Sequence, residues 1–221
     1  MNRYSIITLY LKRSQNFGER VASLLRRVDL ERGYSQEIVD FEEGLFQAGV
    51  EGENVYDAVM DFSSDLADEY MLLSDGIYSA VLTSIYHLWE HDIKDLCKHK
   101  LRYSAVAEGD ELVTDQKIQY YKYEKLKSLL LFWGAQESTF DQVNLLRLVA
   151  NTIKHGAGPS ASELLNNNKK YYRKLALFRD LDLDGARDDF AESEVLGVED
   201  IEYFRAALAT FWVELDKSIS A

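Results

Sequence analysis

One proline in 221 residues leaves almost nothing to interrupt a helix, and the apolar residues of this chain recur at helical spacing, not in alternation. The best-defined stripe is Ile77, Tyr78, Val81, Leu82, Ile85, Leu88, Trp89, Ile93 and Leu96, wide enough to pack against two neighbouring helices. The same period predicts helices over 6–28 with a break near Gly18, over 35–46, and over 55–100 in two pieces meeting near Ser74-Asp75-Gly76. It continues over 116–133 and 198–219, the latter with Ile201, Phe204, Leu208, Phe211, Trp212 and Leu215 inward. Residues 104–115 read as a loop, and only 177–183 have strand character. The expected fold is therefore an all-α, up-and-down helical bundle with extra N-terminal helices. It forms one domain over 1–221, with 1–54 as a helical extension and 55–221 as the bundle.

The single cysteine, Cys97, excludes an internal disulfide and fits a reducing compartment. The N-terminal apolar run is too short and too interrupted for a membrane span, so a cytoplasmic, membrane-free protein is expected. A net charge of −13 opposes nonspecific binding to nucleic acid. Yet the charged residues of 142–179 are Arg147, Lys154, Glu163, Lys169, Lys170, Arg173, Lys174 and Arg179, a basic segment followed directly by an acidic one. That pattern is either local charge balance or a patch for phosphate, with Lys169, Lys170, Arg173 and Lys174 as its candidate RNA contacts.

Within that segment, Asn144, Arg147, Asn151, Lys154 and His155 fall on one helical side, opposite a stripe of Leu145, Leu146, Val149, Thr152 and Ile153. An ordinary solvated face mixes Glu with Lys; this one has no acid, two amides, two cations and the only histidine in the second half of the chain. Ser138 or Asp141 is available to cap the helix, and Gly156 stands where a positive-φ residue would end it.

The pattern Arg147-x-x-x-Asn151-x-x-Lys154-His155-Gly156, closing a helix in an all-helical acidic chain, resembles the HEPN superfamily of helical-bundle proteins. Many of these are metal-independent ribonucleases of antiviral and toxin–antitoxin systems. The resemblance extends directly over about 77–155, and within it 55–221 is a HEPN-like bundle. It implies His155 as acid or base toward the RNA 2′-hydroxyl, Arg147 and Lys154 as stabilisers of the phosphorane-like charge, and Asn151 as an orienting group. It also implies a homodimer, no cofactor and no metal, with Glu90 or Asp92 as a supporting carboxylate from an earlier helix. The chain departs from the family pattern in two places: seven residues separate Arg147 from His155, and Leu148 follows Arg147 where a polar residue is usual. The two Cα atoms then lie ~12 Å apart along the helix axis.

Other signals are weaker. His87-Leu-Trp-Glu90-His91 has the spacing of an inverted zinc-peptidase motif, but no third ligand stands out and Glu90 pairs naturally with Lys94. His87 is accordingly expected to lie outside the site. Asp92 falls inside the apolar stripe and needs a partner, for which Arg147 is the candidate. Asp180-Leu-Asp182-Leu-Asp184-Gly185 opens like a calcium loop, but Ala191 occupies the position of the bidentate Glu. The basic-aromatic runs 117–125 and 169–174 offer either base stacking or core tyrosines. Two functions follow: an endoribonuclease or RNA-binding effector of bacterial defence, or a non-catalytic helical module acting through a protein partner or antitoxin.

Overall fold

The computed structural model describes residues 4–27, 30–50, 52–103, 106–108, 111–176, 178–179, 181 and 195–220. Its elements are α1 (Tyr4–Arg27), α2 (Leu30–Gln47), α3 (Glu53–Leu101), β1 (Ala107–Glu108), β2 (Glu111–Leu112), α4 (Asp115–Ile118), α5 (Tyr123–Phe132), α6 (Asp141–His155), α7 (Pro159–Asn167), α8 (Lys169–Ala176) and α9 (Val198–Ser220). The protein is an all-α helical bundle. The antiparallel β1–β2 pair, with Ala107 opposite Leu112, is the only ladder among the described residues. None of the described helices is long and apolar enough to cross a membrane.

The core is a ring of four helices: α1 packs on α9 and α3, and α6 packs on the same two. From α3 it takes Leu82, Ile85, Trp89, Ile93 and Leu96, and from α6 Val143, Leu146, Val149 and Thr152. From α9 it takes the six residues expected from the sequence, Ile201, Phe204, Leu208, Phe211, Trp212 and Leu215. Aromatic rings tie the layers together: Phe211 meets Trp89 edge-on at 5.6 Å and Phe140 at the same distance, while Tyr10 of α1 lies 5.2 Å from Trp212. Such edge-to-face pairs contribute about 0.5–1.5 kcal/mol each beyond their buried area.

Several boundaries differ from the sequence expectation, each for a physical reason. The expected breaks at Gly18 and Gly76 do not occur, and α3 runs without interruption for 49 residues. A glycine costs a helix only about 1 kcal/mol, and burial on both sides of it outweighs that. Asp75, beside Gly76, is itself buried, held by both guanidinium nitrogens of Arg179 at 3.1 and 2.9 Å. The expected helix over 116–133 is two, α4 and α5, separated at Gln119–Lys122. Residues 1–54 are not uniformly an outer extension, since α1 is part of the core ring. The outlying piece is instead α2 with the first half of α3. Asp92 is paired with Arg13 of α1, at 2.8 Å, rather than with Arg147, because α1 covers the side of α3 on which Asp92 lies. Burial still raises the Asp92 carboxyl above its ordinary range, against the lowering effects of Arg13 and His91. The strand-like 177–183 and the acidic calcium-like segment fall largely outside the described residues.

Cys97 is fully buried near the end of α3, and burial pushes its thiol up to about 12. A maleimide reagent at neutral pH is therefore expected to leave native Cys97 unlabelled and to label it fully in denaturant. Rapid labelling without denaturant would show that this end of α3 is not packed as described.

Candidate functional site

Helix α6 is buried more widely than a one-sided amphipathic helix: Leu148 and Ala150 are buried in addition to the expected stripe, and α7, α8 and α9 pack on it as well as α3. What remains open is a narrow polar strip. No side chain caps the N-terminus; a 3-10 turn, Glu137–Phe140, leads into α6, so neither Ser138 nor Asp141 takes the capping role. At the other end Gly156 adopts φ 64°, ψ −136°, and its N–H donates to the Thr152 carbonyl at 2.9 Å. An L side chain is strained at that φ, so the glycine is required for the chain to turn out of α6 and begin α7 only three residues later.

That turn closes one end of a cleft with roughly 560 Å³ of open space. Arg147, Asn151, Lys154 and His155 from α6 line it, together with Tyr86, His87 and Glu90 from α3, Lys122, Tyr123 and Glu124 at the start of α5, and the 156–160 turn. All four residues expected to carry catalysis thus share one cleft. Of the two carboxylates expected as support, Glu90 lines the cleft, whereas Asp92 lies against α1. His87, expected to stand apart, is in the cleft.

The polar contacts orient these groups. Asn144 Oδ1 accepts from Arg147 Nε at 2.9 Å and from its Nη2 at 2.7 Å, and the guanidinium sits 4.9 Å from the centre of the Tyr123 ring. Glu163 of α7 lies 3.6 Å from the same Nη2. Arg147 is therefore held in place by an amide, a ring face and a carboxylate, with its charge directed along the cleft wall. Lys154 Nζ is 3.3 Å from His87 Nε2. An ammonium can only donate, so Nε2 accepts and the ring proton resides on Nδ1, which faces Glu90 at 3.5 Å. Glu90 also accepts from Lys94 at 2.9 Å, the pairing expected from their spacing. Burial raises the Tyr86 and Tyr123 hydroxyls well above the usual phenol range, so both stay protonated at neutral pH.

His91 turns away, toward Asp92 at 3.4 Å and Asp95 at 3.6 Å, so the two histidines of the zinc-like motif do not converge. Among the described residues no group of three or more His, Cys, Asp or Glu is arranged to hold a metal ion. The basic run on α8 is split: Lys169, Lys170 and Arg173 are exposed, whereas Lys174 is buried against Asp200 at 2.8 Å and near Glu199 at 3.6 Å. None of the four lines the cleft. Of the 117–125 run, Lys122 and Tyr123 reach the cleft while Tyr121 is core.

No protein-family model, no curated protein and no solved structure matches this chain.

Because Lys174 and Asp200 are almost wholly buried, Lys174→Met should destabilise the fold by about 3–5 kcal/mol, the usual cost of leaving one member of a buried ion pair alone. Lys169→Ala should change stability by no more than about 0.5 kcal/mol. Equal costs in denaturant titration would contradict this division of α8.

Proposed function

We propose that this protein is a HEPN-like, metal-independent endoribonuclease, acting as a cytoplasmic homodimer in bacterial antiviral defence or a toxin–antitoxin pair. The observation that carries the reading is the meeting of two histidines with Arg147 and Lys154 in one open cleft. The Ser160 amide, in the first turn of α7 and on the 156–160 wall, adds a donor suited to an anion. Together these supply positive charge for a phosphodiester and two groups able to move protons.

In this reading the phosphate binds between Arg147 and Lys154. One histidine takes the proton of the 2′-hydroxyl as that oxygen attacks phosphorus, and the other gives a proton to the departing 5′-oxygen. The products are a 2′,3′-cyclic phosphate and a 5′-hydroxyl. His87, whose Nε2 accepts from Lys154 and comes free once Lys154 turns to the phosphate, suits the base; His155, at the end of α6, suits the acid. Arg147 and Lys154 stabilise the added negative charge at phosphorus, and Asn151 stands between them on the same strip of α6. The ~12 Å axial separation of Arg147 and His155 is filled by groups from α3.

One observation favours a non-catalytic module instead. Glu163 already faces Arg147, and a guanidinium so neutralised suits a structural seam.

Cleavage of a structured RNA panel that includes tRNA, in the presence of EDTA, distinguishes the two. The enzyme reading expects 2′,3′-cyclic phosphate ends, with His155→Ala and His87→Ala each slowing cleavage ~100-fold to ~10,000-fold. Arg147→Ala should lose ~100-fold or more. Absence of cleavage across the panel, or a His155 variant as fast as the parent, would favour the non-catalytic module.

A further inference from the structure

Outside the cleft, the least explained part of the molecule is the arm formed by α2 and the first half of α3. These helices run antiparallel and share one apolar seam. Phe41 stacks on Phe62 with centroids 4.1 Å apart, and Tyr34 meets Tyr70 at 5.8 Å, with Leu66 and Val55 buried between and beyond them. The Tyr70 hydroxyl donates to Glu37 at 2.7 Å. Gly33 makes the approach possible, since a Cβ there would stand 2.8 Å from the same hydroxyl. Beyond this seam α2 has no comparable packing partner among the described residues.

The arm has a second apolar face that stands open among the described residues. Val39 and Phe46 on α2 and Tyr56 and Met60 on α3 are each 46–67% exposed. At 100° per residue, the α2 pair lies about 110° from the seam and the α3 pair about 100° from theirs, in the same rotational sense. Because the helices are antiparallel, equal rotation in the same sense brings both pairs to the same side of the arm. The Phe41–Phe62 register puts Phe46 level with Tyr56 and Met60, so three of the four residues cluster toward the tip. By helical spacing Ser63 and Ala67 continue the α3 stripe with small side chains, a low strip beside the larger residues that serves as the trough of this face.

The charge of the arm selects its occupant. Residues 33–74 hold eleven Asp and Glu and no Lys, Arg or His, so eleven of the thirteen net negative charges lie here. Glu43, Asp57 and Asp68 are exposed and lie along the outer edges of the apolar face by helical spacing, and exposed Glu42 falls within it, between Val39 and Phe46. A second copy of the arm would bring like charges together, and nucleic acid or an anionic membrane would be repelled. An amphipathic helix with apolar residues at heptad spacing and Lys or Arg on its flanks matches both the trough and its rim.

We infer that this arm is a docking site for a basic amphipathic helix of a partner protein, which lies along the Val39, Phe46, Tyr56, Met60 face as a third helix. This holds whether or not the cleft cleaves RNA.

The test uses the full chain and two labelled synthetic peptides of three heptads, with Leu at a and d and either Lys or Glu at e and g, followed by fluorescence anisotropy. The Lys peptide should bind, the Glu peptide should not, and binding should weaken at least ten-fold at about 1 M salt, where the Debye length is ~3 Å. Phe46→Ser with Met60→Ser, which leaves charge unchanged, should weaken it about ten-fold or more. Neutralising the acids of this face with Glu42→Gln, Glu43→Gln, Asp57→Asn and Asp68→Asn should do the same and flatten the salt dependence. All four positions are exposed, so circular dichroism should confirm an unchanged helix content. Binding insensitive to the Phe46 and Met60 changes would overturn the proposal, as would equal binding of the Glu peptide. So would loss of self-association, or of RNA or anionic-vesicle binding, caused by those same two changes, because each would assign the face to a different occupant.

Discussion

The packing of α6 against the middle of α3 is the contact on which the rest depends. Leu82, Ile85, Trp89 and Ile93 on one helix and Leu146, Val149 and Thr152 on the other are all nearly or fully buried, and that seam fixes the relative rotation of the two helices. His87 and Glu90 flank Trp89 on α3, and Arg147 and Asn151 flank Val149 on α6. Once the apolar residues interlock, the polar ones have no freedom over which neighbours they meet. The cleft is thus a by-product of core packing, and a cavity beneath Trp89 would disorder it before it unfolded the bundle.

Which of these features could be read from the chain follows from the range of the forces involved. The helices, the inward faces of α3 and α9, and the exit from α6 at Gly156 are local properties of spacing and backbone geometry. Arg147, Asn151, Lys154 and His155 were legible because one helix carries them all. His87 was not, because a helical wheel shows that a residue leaves the apolar stripe but not which element stands opposite. The error over Asp92 has the same origin. Its need for a cation is local, but the choice of Arg13 over Arg147 is decided by where α1 lies. The glycines at 18 and 76 misled for a different reason, since a small local preference was set against a larger burial term that the sequence does not weight.

The two halves of α3 have opposite roles. The half from about Asp75 onward carries the core, packed with α1, α6 and α9, and one wall of the cleft, while among the described residues the half before it packs mainly on α2. Asp75 marks the change, anchored by Arg179 from the far side of the bundle. Buried in the bundle at one end and supported by a single seam at the other, α3 is firmly fixed at its C-terminal end and has fewer contacts to hold it at its N-terminal end.

The continuity of α3 also changes the meaning of the net charge. Tyr56 and His87 belong to one continuous run of helix, so the tip of the arm stands about 45 Å along that helix from the cleft. At physiological ionic strength the Debye length is about 8 Å, and a charge that far away is not felt. Electrostatically the chain behaves as two objects, a polyanion at one end and a nearly neutral bundle with a cleft of mixed charge at the other. The isoelectric point averages over both and describes neither.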